Sequence, residues 1–410
     1  MLRKLRIKNY KSILDHELEL GRFNVFIGEN GSGKTNILEA VAMASAALDG
    51  QLDTEALYSK GIRIAKPSVT VSSFPNVERP SSIELRCGLD VPIDDEPAAI
   101  QLTISSAAPD DIRATWTDVV EGMTARDQSL RQSFISSIEQ SMPDLAARDA
   151  FVKAIMSAGM DRGLLASMGK RFMRLVEPSI KAAAEHLADF VIFNLNLPAL
   201  RGIQAQSRKT PLGIYGENLD VLISTFDDAT RERLAERARL ISWFDAFEID
   251  VHDERKYQGH KLGRSTSTLY FRDRFMRPEE NVFSAENANE GILHILFYLV
   301  LFLSDKTPRL FGIDNIETAL NPALCRELTR QLALIATEQG KQVLITTHNP
   351  AILDGLDLHD DEQRLFVVYR DDDGHTVTKR IRLKPESGGT KHKLSELWMR
   401  GHLGGIPKLF

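Results

Sequence analysis

Cysteine is nearly absent from this 410-residue chain, with Cys87 and Cys325 the only two. They lie far apart among core-like neighbours, which excludes a disulfide framework and any metal cluster made of cysteine alone. That usage suits a reducing cytoplasm, the expected location. Excess positive charge is missing too. A formal net charge of −6 excludes a protein that coats nucleic acid by bulk charge and leaves room only for a local basic groove. Long apolar runs are also lacking: the most apolar stretch, 292–303, is too short to cross a bilayer and contains His294, so it reads as a buried helix. The start, MLRKLRIKNYKSI, lacks the apolar core of a secretory signal. No membrane partner is expected. Sustained heptads are absent, so no long coiled coil is predicted. What remains is ordinary globular composition, 43% hydrophobic and 26% charged, on a chain long enough for two or three structural units.

One stretch stands apart. Phe23, Val25, Phe26 and Ile27 form a short apolar run of the buried-strand type. Gly28-Glu29-Asn30-Gly31-Ser32-Gly33-Lys34-Thr35 follows and fits G-x-x-x-x-G-K-[ST] at every fixed position. Ile37, Leu38, Ala40, Val41 and Ala44 then recur at helical spacing, so the loop opens a helix with Asn36 in its first turn. Glycines let backbone N–H groups turn inward around phosphate oxygens, and a helix N-terminus adds positive potential. Gly28 to Asn36 are therefore the expected ATP-binding residues, with Lys34 reaching the β- and γ-phosphates and the Thr35 hydroxyl ligating Mg²⁺. A strand-to-helix turn with no ligand is the plainer alternative, and the full motif in its required context weighs against it.

Around this loop the chain reads as an N-terminal half (1–108), a helical insertion (109–189) and a C-terminal half (190–410). Leu2, Leu5 and Ile7 alternate with basic residues in a first strand, and ILDHELEL makes a second. SVTVSSF, SSIELRCGLDV and AIQLTIS, separated by prolines, predict an antiparallel β subdomain. From Pro109 the pattern turns helical. DDATRERLAERARLISWFDAF predicts one long charged helix, and IDVHDERK with STLYFRDR a hairpin. Arg201, after Leu-Pro, is either a phosphate or nucleic-acid contact or a loop arginine paired to a nearby carboxylate. RLFGIDN is an apolar strand ending in Asp314, an acid placed to hold Mg²⁺ opposite a P-loop. Asn321-Pro322 starts a helix, and the apolar strand of KQVLITTHNP runs into His348. Asp371-Asp372-Asp373 beside Gly374, between alternating strands, reads as a hairpin turn and not a metal site.

The start Leu5-x-Ile7-x-Asn9-Tyr10-Lys11-Ser12, the P-loop, the Asp314 strand and the His348 strand occur in an order that resembles the RecF, SMC, Rad50 and OLD group of ABC-type ATPases, in the compact form found in phage-defence loci. The resemblance implies an α/β fold: an ABC-type P-loop NTPase sheet with an antiparallel β subdomain and a helical insertion. It also implies roles. His348 becomes the switch to the γ-phosphate. Asn289 and Gly291, at a helix start, become a loose signature loop that caps the nucleotide of a second copy in a head-to-tail dimer. The position after Asp314 should carry the glutamate that polarises water; here it is Asn315, which can orient water but cannot accept its proton. Glu317 is the next acid, two residues on, a spacing that usually puts a side chain elsewhere in space. Slow ATP hydrolysis is the expectation. The glutamine of this group is not placed: Gln101, Gln204 and Gln206 all lack a diagnostic neighbourhood. The stretch after His348 is too short for a Toprim domain, so no nuclease site is expected and a separate effector, perhaps a nuclease, would be the partner. The implied function is an ATP-gated sensor in such a defence complex. The alternative is a RecF-like ATPase that binds DNA through basic residues such as Arg272, Arg274 and Arg277.

Overall fold

A computed structural model gives the fold and describes residues 1–141, 177–203, 211–261, 263–383 and 393–404. Residues 142–176 of the expected helical insertion, together with Gln204 and Gln206, lie outside the described residues. The chain divides into two compact units. The first holds Met1–Gly21, Asn30–Phe190 and Val368–Lys379; the second holds Arg22–Glu29, Val191–Val367 and Arg380–Phe410.

The first unit is built on a five-stranded antiparallel sheet in the order β2-β1-β4-β5-β6. Its strands are β1 (Leu2–Tyr10), β2 (Ile13–Glu19), β4 (Ser82–Ile93), β5 (Glu96–Ser105) and β6 (Thr117–Gly122). Period-two alternation explains it: Leu5, Ile7, Leu85, Leu102 and Ile104 are buried on one face, and Ile7 pairs with Leu85 in register. On the other face Arg6 lies against Asp15 of the neighbouring strand at 2.7 Å. Helix α1 (Lys34–Asp49) packs on β1, β5 and β6, and helix α3 (Pro178–Leu187) packs on α1 and on β4 to β6. Two readings need correction. The segment from Pro109 is not helical throughout, because β6 extends the sheet beside β5 and only then does helix α2 (Ala125–Ser141) begin. SVTVSSF is not a strand: Pro67 starts a helical turn over Pro67–Thr70, and Val71 keeps a single bridge to Tyr10.

The second unit carries a mostly parallel sheet, in the order β14-β13-β3-β12-β11-β7. Here β3 is Phe23–Ile27, β7 Ile192–Phe193, β11 Leu310–Ile313, β12 Gln342–Thr347, β13 Gln363–Arg370 and β14 Thr376–Ile381. β3, β11 and β12 are buried along their whole length, as parallel strands covered on both faces are. Helix α5 (Glu290–Leu303) is the predicted buried helix, with every residue from Gly291 to Leu303 buried. It packs by aromatic edges, Phe302 on Phe311 at 5.1 Å and Phe193 on Phe297 at 5.6 Å. Helix α6 (Pro322–Glu338) starts where Asn321 accepts from the Leu324 N–H. A second sheet of this unit, in the order β10-β9-β8, contains β8 (Phe244–Ile249), β9 (Leu269–Asp273) and β10 (Val282–Ser284). The long charged helix is shorter than its sequence predicts: α4 spans Asp228–Ala238, and the Phe244–Ile249 part joins β9, with Phe247 opposite Phe271. Cross-strand aromatic pairing overrides the charged helical pattern there. Cys87 and Cys325 are free and buried.

Candidate functional site

The apolar β3 ends at Ile27, and its register sets what happens next. Thr347, the last residue of β12, pairs with Ile27, and Ile345 of β12 pairs with Ile313 of β11. Because the three strands are parallel, Gly28, Asp314 and His348 all leave the sheet at its carboxyl edge, where open α/β sheets take their ligands. Asp314 Oδ1 accepts the Thr346 hydroxyl at 2.5 Å, and the Asn315 N–H donates to Thr346 Oγ1 at 3.0 Å. Asn315 itself is left-handed (φ 56°), a conformation asparagine tolerates better than most residues. That turn buries Ile316 and carries Glu317 back to the end of β12. There the Glu317 carboxylate accepts the Thr347 hydroxyl at 2.8 Å and the His348 N–H at 2.7 Å. Despite its two-residue spacing from Asn315, Glu317 thus reaches the strand end that carries His348.

The rest of the P-loop belongs to the first unit. Gly31 (φ 77°) and Gly33 (φ 103°) take left-handed conformations that a side chain would strain. α1 begins at Lys34 with no side chain capping Gly33, and the Ile37 N–H reaches the Gly33 carbonyl at 3.3 Å. Ser32 is fully buried and its hydroxyl has no hydrogen-bond partner. A buried orphan hydroxyl in a glycine loop at a helix start fits a phosphate oxygen as its missing acceptor. Asn36 donates to Ser12 Oγ at 2.7 Å and accepts from Arg63 at 3.0 Å. One turn further, Glu39 is wholly buried, paired with Lys11 and, at 2.7 Å, with Arg63. Burial alone would raise the Glu39 carboxyl, but the Arg63 and Lys11 contacts more than offset it and hold its pKa below the ordinary value.

Other expected site residues are used locally. Asn289 caps α5, its Oδ1 accepting the Gly291 N–H at 2.8 Å. Gln101 lies within β5, opposite Arg86 and Glu121. Arg201 donates to the Ala288 carbonyl at 3.2 Å, and not to a carboxylate in that bond. Asp371 accepts from the Asp373 and His375 N–H groups and closes the β13–β14 turn; among the described residues no cluster of three or more His, Cys, Asp or Glu could hold a metal ion. No described helix is long and apolar enough to cross a membrane. Sequence reasoning overlooked Thr346 and Thr347, which hold the two acids, and Arg370 and Thr376, which touch the P-loop. The threonines stood in plain view before His348; Thr376 lies 344 residues from Ser32 and carries no local signal.

Residues 163–354 match a family model described as "AAA domain, putative AbiEii toxin, Type IV TA system", and residues 1–80 match one described as "AAA ATPase domain". The chain is 26% identical over 310 residues to the DNA replication and repair protein RecF of Rhizobium rhizogenes, covering 70% of this chain and 75% of that one. It is 34% identical over 90 residues to the RecF protein of Phocaeicola vulgatus, 22% of this chain and 24% of that protein. Among solved structures it is similar to an Smc head bound to the C-winged helix domain of ScpA (TM-score 0.56, 15% identity, 93% of this chain and 98% of that one). It is also similar to an Smc head domain with an extended coiled coil from Pyrococcus furiosus, bound to the C-terminal domain of ScpA (TM-score 0.50, 14% identity, 93% and 96%). At those identities the structural likeness concerns the fold alone. Sequence and sheet order agree in giving this chain an ABC-type ATPase fold. Within that class it resembles RecF in sequence and the SMC head in fold.

Proposed function

We propose that this chain is an ATP-gated switch of the RecF type, which hydrolyses ATP slowly and pairs head-to-tail with a second copy. In this reading Gly28 to Asn36 hold the triphosphate, Lys34 its β- and γ-oxygens, and Thr35 and Asp314 the Mg²⁺. The metal, when bound, neutralises phosphate charge. Asn315 has no basic carboxylate to offer, so the water-orienting role falls to Glu317, with His348 beside it as the γ-phosphate switch. One observation carries the proposal: a single edge of the parallel sheet launches the P-loop, Asp314 and His348, and Glu317 is hydrogen-bonded to that same edge. Asn289 and Gly291 are assigned to the partner copy's nucleotide.

Supporting the RecF side is a relative of that name matched over 70% of this chain. Light scattering with and without ATP and Mg²⁺ tests it: the mass doubles with ATP, and Lys34→Ala abolishes the doubling. An unchanged wild-type mass contradicts the pairing. A second reading, a defence sensor with a separate effector such as a nuclease, is favoured by the toxin-type description of the model matching 163–354. Duplex DNA separates the two. ATP-dependent binding at low salt that falls steeply as salt rises supports the RecF reading, and its absence supports the sensor.

A further inference from the structure

The turn between β13 and β14 reaches the P-loop, and nothing in the nucleotide reading requires it to. Thr376 Oγ1 donates to the Ser32 carbonyl at 2.8 Å, and Arg370 Nε donates to the Gly31 carbonyl at 3.0 Å. Two successive loop carbonyls are therefore tied to one hairpin tip. In a trans peptide the C=O and the following N–H point in opposite directions. Holding the Gly31 and Ser32 carbonyls toward the hairpin consequently aims the Ser32 and Gly33 N–H groups away from it.

The tie is itself anchored by a chain of hydrogen bonds whose direction can be deduced. Arg63 is only a donor, so its contact with Asn36 at 3.0 Å fixes the Asn36 carbonyl on that side and the amide NH₂ toward Ser12. The Thr376 hydroxyl is committed to the Ser32 carbonyl, so in its 2.7 Å contact with Ser12 it must accept. The order is Arg63 to Asn36 to Ser12 to Thr376 to the Ser32 carbonyl. Each hydroxyl both accepts and donates, the arrangement in which such bonds strengthen one another. The Thr376 N–H also donates to the Ser12 carbonyl at 2.7 Å, locking the two turns together. A Cβ on Gly33 would lie 2.1 Å from Thr376 Oγ1, so the hairpin is pressed against the loop.

We infer that Thr376, Ser12 and Arg370 are positioning residues that set the P-loop amides in phosphate-binding orientation before nucleotide arrives. This rests on the nucleotide reading above. It assigns a role to a hairpin far along the chain and to the serine that ends the N-terminal motif.

Two measurements test it, using Thr376→Val, which keeps the shape and removes the hydroxyl, and Thr376→Ser, which restores it. The first is hydrogen exchange of the Ser32 and Gly33 amides without nucleotide. Exchange should speed up about tenfold in Thr376→Val and return to the wild-type rate in Thr376→Ser. Unchanged exchange in Thr376→Val overturns the inference, whatever the chain binds. The second is affinity for a fluorescent ATP analogue, expected to weaken about tenfold in the valine variant and within about twofold of wild type in the serine variant. Wild-type affinity in Thr376→Val, or equal loss in Thr376→Ser, also overturns it. A wild-type chain that binds no analogue instead refutes the nucleotide reading and leaves the exchange result to decide the hairpin's role.

Discussion

Glu317→Gln is the substitution that separates this account of hydrolysis from one centred on Asn315. The Glu317 carboxylate accepts two hydrogen bonds, from the Thr347 hydroxyl at 2.8 Å and the His348 N–H at 2.7 Å. Glutamine is nearly isosteric: its carbonyl can keep the His348 N–H, and its amide can donate to Thr347 Oγ1. Charged hydrogen bonds become neutral ones, a difference of about 1 kcal/mol or less at this partly exposed site. The fold therefore survives and melting moves by a few degrees, roughly 2–4 °C. The proposed proton acceptor does not survive. A positioned base contributes about 10² to 10⁴-fold, so phosphate release should fall by at least about a hundredfold while nucleotide affinity holds. Asn315→Gly is the control, because it removes the side chain yet keeps the left-handed turn (φ 56°) that delivers Glu317. Its turnover should remain close to wild type. Phosphate release followed by malachite green, beside fluorescent-nucleotide titration, reads both variants. Turnover of Glu317→Gln within about twofold of wild type, or collapse in Asn315→Gly with the fold intact, refutes the assignment.

Three further predictions follow from particular contacts. Gly33→Ala places a Cβ 2.1 Å from Thr376 Oγ1 at a φ of 103°, so fluorescent-nucleotide binding should be lost and the melting temperature should fall. Asn289→Ala removes the α5 cap at Gly291 and should lower urea stability by about 1 kcal/mol; loss of ATP-dependent mass doubling as well would mark the added role toward a partner copy. Lys341 is buried, its amino group bonded to the Thr307 and Pro308 carbonyls and the Thr307 hydroxyl, and burial lowers its pKa from 10.5 to about 8. The unfolded chain then binds the proton more tightly than the folded one, so the stability of wild type relative to Lys341→Met should rise between pH 8 and 10.5, by roughly 2–3 kcal/mol. A stability difference from Lys341→Met that stays flat across that window contradicts the burial argument.

Local patterns told most about this chain wherever one segment sets its own structure. The P-loop glycines, the apolar strands ending in Asp314 and His348, and the buried helix after Asn289 each carry their meaning in a few adjacent residues, and all appear where their patterns place them. Contacts between distant segments were not legible. β6 joins a sheet because β5 offers an edge at that register, and Phe244–Ile249 becomes a strand because Phe271 lies opposite. The αL turn at Asn315 is a single backbone angle, yet it decides which acid faces His348. Thr376 holds Ser32 across 344 residues, a relation that no spacing rule contains.

The central proposal, that ATP hydrolysis requires both Lys34 of the P-loop and Asp314, is tested most directly by steady-state phosphate release from wild type, Lys34→Ala and Asp314→Ala at matched concentration. The account predicts slow, Mg²⁺-dependent turnover in wild type and none above background in either variant. Turnover at the wild-type rate in either one would contradict it.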